Sequence, residues 1–200
     1  MAEEAVRRLG RTWRRILEED VLRLAVLLAV AAFLADWATK SWALYHLDEA
    51  ITPLGALTLG VARNEGFAFS TGAGLVAPWI IVAARLLALA AIFLLSRRVT
   101  ALSRRYACGF ALLLAGGFGN AADLIFRGGA VVDFIGAGPF TFDWSGRLVH
   151  MHFVFNAADL FILAGIVLIA PLIRQFARAT RQRFQQWENR LLTGGASSSV

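Results

Sequence analysis

The sequence predicts an all-α membrane protein: a four-transmembrane-helix bundle with a small extracytoplasmic β-rich segment and an N-terminal amphipathic helix. Three observations carry that class. Of the 200 residues, 58% are hydrophobic and 17% charged, too few charges to cover a soluble domain of this length. The apolar residues gather into four runs, each near the roughly 20 residues that a helix needs to cross a ~30 Å hydrocarbon core. Between those runs lie segments rich in Gly, Phe and Thr, with short stretches of strand-forming residues.

The runs place spans at about residues 21–42, 75–95, 106–126 and 153–173. Residues 1–20 alternate charge with Val6, Leu9, Trp13, Ile16 and Leu17, a spacing expected of an amphipathic helix on the cytoplasmic membrane surface. The first apolar run follows this charged stretch and ends in no small-residue cleavage site, so it reads as a retained span. Residues 21–174 form the membrane domain, and 175–200 a basic cytoplasmic tail. In the first outward segment, Ile51-Thr52 and Leu57-Thr58-Leu59 beside Pro53 and Gly60 predict short strands.

Arginine placement sets the expected orientation. Arg7, Arg8, Arg11, Arg14, Arg15 and Arg23 precede or open the first span. Arg97, Arg98, Arg104 and Arg105 lie between the second and third. Arg174, Arg178, Arg181, Arg183 and Arg190 follow the fourth. This bias predicts that both termini are cytoplasmic, and it explains the net charge of +6 without nucleic acid as a partner. A single cysteine, Cys108, excludes an internal disulfide and argues against a cysteine metal cluster.

Ionisable groups inside spans each cost several kcal/mol unless paired or hydrated, so those present are informative. Asp36 and Lys40 share a face of the first span. Asn120 and Asp123 share one on the third, and Asn156 and Asp159 one on the fourth. Asp133 follows Gly128-Gly129 in the second outward segment. The alternating topology brings all of these to one depth, with Asp159 some six residues inside its span. They read either as polar glue between helices or as a site, and carboxylates from several spans favour the site. The Asp36–Lys40 pair serves either to pin a helix end or to contact substrate. Gly116-Gly117-Phe118-Gly119 is expected to let the third span approach a neighbour closely. Arg85 lies within the second span with no assigned role. His46, His150 and His152 lack a third ligand at suitable spacing, so no metal and no cofactor are expected.

Five blocks resemble the lipoprotein signal peptidases, also called signal peptidase II, in that family's order. They are Asp36-Trp37-Ala38-Thr39-Lys40, then Arg63-Asn64-Glu65-Gly66-Phe67-Ala68-Phe69-Ser70, then Gly116 through Asp123, then Val131-Val132-Asp133-Phe134, and last Phe155-Asn156-Ala157-Ala158-Asp159. The resemblance implies an aspartic endopeptidase of the bacterial inner membrane, with its active site at the outer face. Its implied partners are diacylglyceryl-modified prolipoproteins and membrane lipids, and it is expected to act as a monomer. The catalytic aspartates would correspond to Asp133 and Asp159. Asp36, Lys40, Asn64, Gly66, Asn120, Asp123 and Asn156 would shape the site or contact substrate. Leu124 stands where the family carries arginine, with Arg127 one turn away as the available replacement cation. Residues 136–147 read as an insertion.

Two carboxylates sharing one proton suffice for amide hydrolysis at neutral pH: one activates water, the other polarises the carbonyl. Ser41 and Ser70 have no base spaced to activate them. The competing readings are a small proton-coupled transporter, which would not account for the Asn64–Gly66 loop or for Val131 to Phe134, and a catalytically inactive lipoprotein-binding relative.

Overall fold

The computed structural model describes residues 2–54, 57–64, 78–99, 103–144 and 147–194. Among these residues are four helices: α1 (Ala2–His46), α2 (Pro78–Val99), α3 (Arg104–Phe126) and α4 (Ala157–Gly194). Four strands complete the order: β1 (Ile51–Leu54), β2 (Leu57–Asn64), β3 (Val131–Trp144) and β4 (Arg147–Phe155). Stretches long and apolar enough to cross a membrane run over Glu19–His46, Trp79–Arg97, Arg104–Phe126 and Ala157–Asn189.

The helices turn much of their apolar surface outward. Leu27 and Leu34 on α1, Leu87 and Leu94 on α2, and Leu163 and Val167 on α4 are all exposed, which lipid tolerates and water would not. Helix α3 is the exception, with 61% of its span buried against 11% or 17% for the others. It is the central post of the bundle. Its glycines explain how three helices reach it, since each faces a different neighbour. A Cβ at Gly116 would strike the Ala158 carbonyl and Ile162 of α4, one at Gly117 would strike Leu89 of α2, and one at Gly119 the Asp36 carboxylate of α1. Further along, a Cβ at Gly165 would come within 2.7 Å of the Gly109 carbonyl, so α3 and α4 meet backbone to backbone. Phe110, Leu113, Ile169 and Leu172 pack beside that crossing.

The strands form one antiparallel sheet in the order β1-β2-β3-β4. It sits over the end of the bundle where α1 and α3 finish and α2 and α4 begin, with Phe134 packed on Ala43 of α1 and on Leu47 just beyond it. The turn from α3 into β3 is tight. The Arg127 amide closes the helix on the Asp123 carbonyl at 2.8 Å, and Gly128 and Gly129 then take φ of +81° and +84°. That left-handed region strains any other residue.

Two boundaries differ from the sequence reading. Residues 2–20 do not break from the first span: α1 is continuous, with no proline in its length to interrupt it. Residues 153–155, expected within the fourth span, finish β4. Ile135 pairs with Phe155, and the helix starts only after Asn156, which places Asp159 in the first turn of α4. Within the apparent insertion, residues 136–144 lengthen β3 and Arg147 opens β4, with Trp144 paired to Arg147.

Gly116→Ala should destabilise the protein by roughly 1–3 kcal/mol, because a backbone carbonyl cannot move aside. Gly117→Ala should cost less, since the tip of Leu89 can rotate away. Thermal unfolding of the purified variants in detergent micelles reads the difference.

Candidate active site

Lys40 is fully buried, and its ammonium has three N–H donors to satisfy. They go to Asp36 Oδ2 at 2.9 Å, Asp123 Oδ2 at 2.8 Å and Asn120 Oδ1 at 2.8 Å. Both aspartates, themselves about 1% exposed or less, carry the connection outward. Asp36 Oδ1 accepts the Ala158 amide of α4 at 2.8 Å, and Asp123 Oδ2 accepts the Val132 amide of β3 at 3.1 Å. Arg127 adds a second cation, 3.4 Å from Asp123 Oδ1. It lies over the Trp37 ring at 4.0 Å and donates to the Trp37 carbonyl at 3.1 Å and the Ser41 hydroxyl at 2.7 Å. Two acids and two cations thus neutralise one another among α1 and α3. A lone buried ion here would be very costly.

The second half of the site rests on Asn156, the residue between β4 and α4. Its side-chain carbonyl accepts the Asp159 amide at 3.1 Å, while Asp159 Oδ2 accepts the Asn156 amide at 3.1 Å. This reciprocal pair is a capping box, which satisfies two donors at the start of α4. The Asn156 amide group then donates to Asp133 Oδ1 at 2.6 Å and to Asn120 Oδ1 at 3.1 Å. Asn120 in turn donates to Asp159 Oδ1 at 3.0 Å. Asp133 and Asp159 therefore flank a single residue that bonds to both. Sheet register supplies the last partner: Asn64 pairs with Val131 and Ala62 with Asp133, so the Asn64 amide reaches Asp133 Oδ2 at 3.3 Å.

Asp133 is 5% exposed. Burial first, and then the negative charge of Asp159, push its carboxyl up from 3.8 to about 6, against the opposing pull of the Asn156 and Asn64 hydrogen bonds. A folded value above the unfolded one means that this group favours folding below about pH 3.8. The contribution is lost as pH rises through about 6.

Of the residues expected from sequence, Asp36, Lys40, Asn64, Asn120, Asp123, Asp133, Asn156 and Asp159 come together in one connected network. Gly66 lies outside the described residues. Leu124 is buried against Ile81 and Val131, an apolar contact, and Arg127 reaches Asp123 instead. Sequence reasoning missed the backbone amides of Val132 and Ala158 and the carbonyl of Trp37, and no residue type announces them. A cleft of about 390 Å³ opens on the sheet between Leu47, Thr58, Gly60, Ala62, Gly136 and Val154. Neither Asp133 nor Asp159 lines it.

Residues 28–177 match the family described as Signal peptidase (SPase) II. The chain belongs to that family. It is 34% identical over 163 residues to the lipoprotein signal peptidase of Bifidobacterium adolescentis, covering 76% of this chain and 78% of that one. With the lipoprotein signal peptidase of Treponema denticola it shares 36% identity over 162 residues, or 76% and 90% of the two chains. A solved structure described as "Bacterial membrane enzyme structure by the in meso method at 2.3 A resolution" has the same fold. Its TM-score is 0.57 at 22% identity, over 78% of this chain and 90% of that one. As a signal peptidase II family member the chain is a protease, and its four apolar helices make it a multi-pass inner-membrane protein.

Lys40→Met leaves Asp36 and Asp123 buried without their shared cation and should destabilise this signal peptidase II by about 3–5 kcal/mol. Adding Asp123→Asn should recover part of the loss, because the two sites are in contact. Thermal unfolding of the single and double variants in detergent measures both effects.

Proposed function

We propose that this signal peptidase II is an aspartic endopeptidase that removes signal peptides from diacylglyceryl-modified prolipoproteins on the amino side of the lipidated cysteine, with Asp133 and Asp159 as its catalytic dyad. The observation that carries the reading is the shared Asn156, which bonds to both carboxylates and holds them on either side of one residue. The raised Asp133 carboxyl supplies the other requirement. Burial and the neighbouring Asp159 charge let Asp133 hold a proton up to about pH 6.

The chemistry follows from that proton. A water held between the carboxylates gives its proton to ionised Asp159 as its oxygen attacks the scissile carbonyl. Protonated Asp133 donates to the carbonyl oxygen as charge develops there. Asp159 then returns the proton to the departing amine as the C–N bond breaks, while Asp133 takes one back from a gem-diol hydroxyl, so the new carboxyl product departs and the dyad again holds one proton. Acid and base assistance of this kind contributes roughly 10² to 10⁴-fold, with positioning of the peptide adding to it. Asn64 and Asn156 orient Asp133, and Asn120 orients Asp159. The buried ion network behind them acts as a rigid backing and does not touch the peptide.

The membrane contributes the rest. Exposed apolar faces on α1, α2 and α4 suit a substrate that is itself a membrane-spanning signal helix carrying two acyl chains. The arginine bias supports a cytoplasmic location for both termini and an outer-face location for the sheet and dyad.

Asp133→Asn and Asp159→Asn should each lower cleavage of a lipidated lipobox peptide by about 10³-fold or more while the protein stays folded in membranes. Normal processing by either variant removes the dyad assignment. In the wild type, kcat/KM should fall as pH rises through about 6, where the free enzyme gives up the proton on Asp133. A profile flat from pH 5 to 8 contradicts the role given to that carboxyl.

A further inference from the structure

Helix α4 runs for 38 residues, about 57 Å at helical rise, against a hydrocarbon core of roughly 30 Å. Its packing on the bundle stops well before its end. Ile169 and Leu172 are buried beside α3, and from Ile173 to Asn189 every residue is exposed. The change comes just past Pro171, whose ring nitrogen cannot donate to the Val167 carbonyl one turn back. Arg105 of α3 serves that turn instead, with Nη2 3.4 Å from the Val167 carbonyl oxygen and Nε donating to the Leu168 carbonyl at 3.0 Å. Helix α4 is thus clasped up to the point where its own ladder is interrupted, and it extends beyond as an arm.

The arm has two unlike sides. Ile173, Phe176, Ala177, Thr180, Phe184 and Trp187 recur at the three- and four-residue spacing of one helical face. Phe184 and Trp187 meet on that face, with ring centroids 5.8 Å apart, yet stay 61% and 56% exposed. Arg174, Arg178 and Arg181 border the stripe on one side and Arg183 on the other, against one acid, Glu188. A crossing that begins at Ala157 leaves the hydrocarbon near Ala177. A straight arm would then carry Phe184 and Trp187 about 10 and 15 Å further, past a headgroup layer of about 5–7 Å and into water.

We propose that this arm is a lipid-binding surface: beyond its clasped turn α4 bends, the aromatic stripe seats in the leaflet opposite the sheet, and the flanking arginines bind the phosphates of anionic lipids. Rings on one face with arginines along its edges are what a helix lying in a membrane interface requires. Charge decides against a second copy of the chain, because two such arms face to face would set arginine edges against each other. Helix α1 does not cover the stripe either, since every residue there is exposed. An acidic protein would also match the arginines, but α4 is already anchored in the lipid, so the headgroups are always within reach. The inference does not depend on the dyad assignment. In the orientation proposed above, the leaflet is the cytoplasmic one.

The test uses the full chain with Cys108→Ala and one new cysteine, either Thr180→Cys on the stripe or Gln182→Cys on the opposite face. Each carries an environment-sensitive fluorophore and is reconstituted in phosphatidylcholine vesicles with or without phosphatidylglycerol. Both leaflets hold the same lipid, so insertion in either direction reads alike. With phosphatidylglycerol present, the stripe label should shift to the blue and be quenched by spin-labelled lipid, and the opposite label should do neither. High salt should reverse part of the shift. Arg178→Gln with Arg181→Gln should lower the ratio of seated to free arm roughly 25-fold, about five-fold per arginine, while cleavage of a lipidated lipobox peptide in detergent stays unchanged. Phe184→Ser with Trp187→Ser should likewise return the stripe label to water. The proposal fails if that label reports water in both vesicles, if the two labels respond alike, or if the double arginine variant seats as well as the parent. It also fails if the label is shielded equally with and without phosphatidylglycerol, or if dilution into more lipid exposes it, which would make a second copy the occupant.

Discussion

An ammonium group enclosed by helices must place three donors on fixed acceptors or forfeit several kcal/mol, and the placement of the three around Lys40 organises the rest of this molecule. Asp36 belongs to the same helix, Asn120 and Asp123 belong to α3, and the two acids reach α4 and β3 by accepting the Ala158 amide on Asp36 Oδ1 and the Val132 amide on Asp123 Oδ2. Four separate elements are thereby located relative to one buried charge. In lipid, apolar packing gives helices little reason to prefer one register over another, so polar contacts of fixed geometry carry the specification. Gly119 is part of that design, because any side chain there would occupy the Asp36 carboxylate's position.

From this anchor, Asp133 and Asp159, the proposed dyad, inherit their places at one remove. Val132 is held by Asp123, and Asp133 follows it. Ala158 is held by Asp36, and Asp159 follows it. Each dyad member is adjacent in sequence to a residue whose backbone is tied to the ion network. Asn156 closes the arrangement from the other side by using a common helix-starting motif for a second purpose. The capping box that begins α4 also aims an amide at Asp133. The acids thus sit on rigid supports, as a reaction that depends on sub-ångström placement requires.

The sheet has a quieter role. Its register delivers Asn64 beside Asp133, and its last strand ends one residue short of the capping asparagine. The hairpin that contains residues 136–147 extends that sheet away from Asp133, beyond the Ile135–Phe155 pair. An insertion is tolerated there because it lengthens two paired strands away from the chemistry and leaves few backbone groups unpaired.

By itself, the sequence determined the number of spans, the residues too costly to leave unpaired in lipid, and the family. Hydrophobic run length and the price of buried charge are local properties that composition expresses directly. The i, i+3 spacing of Asn156 and Asp159 likewise showed a shared face before any fold was known. Only the tertiary structure decided the partners. Lys40 was legible as Asp36's neighbour, but not as the link to Asp123 and Asn120, eighty or more positions away. The start of α4 at Ala157 and the pairing of residues 153–155 depended on strand partners distant in the chain. Contacts of that range are fixed by how elements pack, and no local pattern of residues records them.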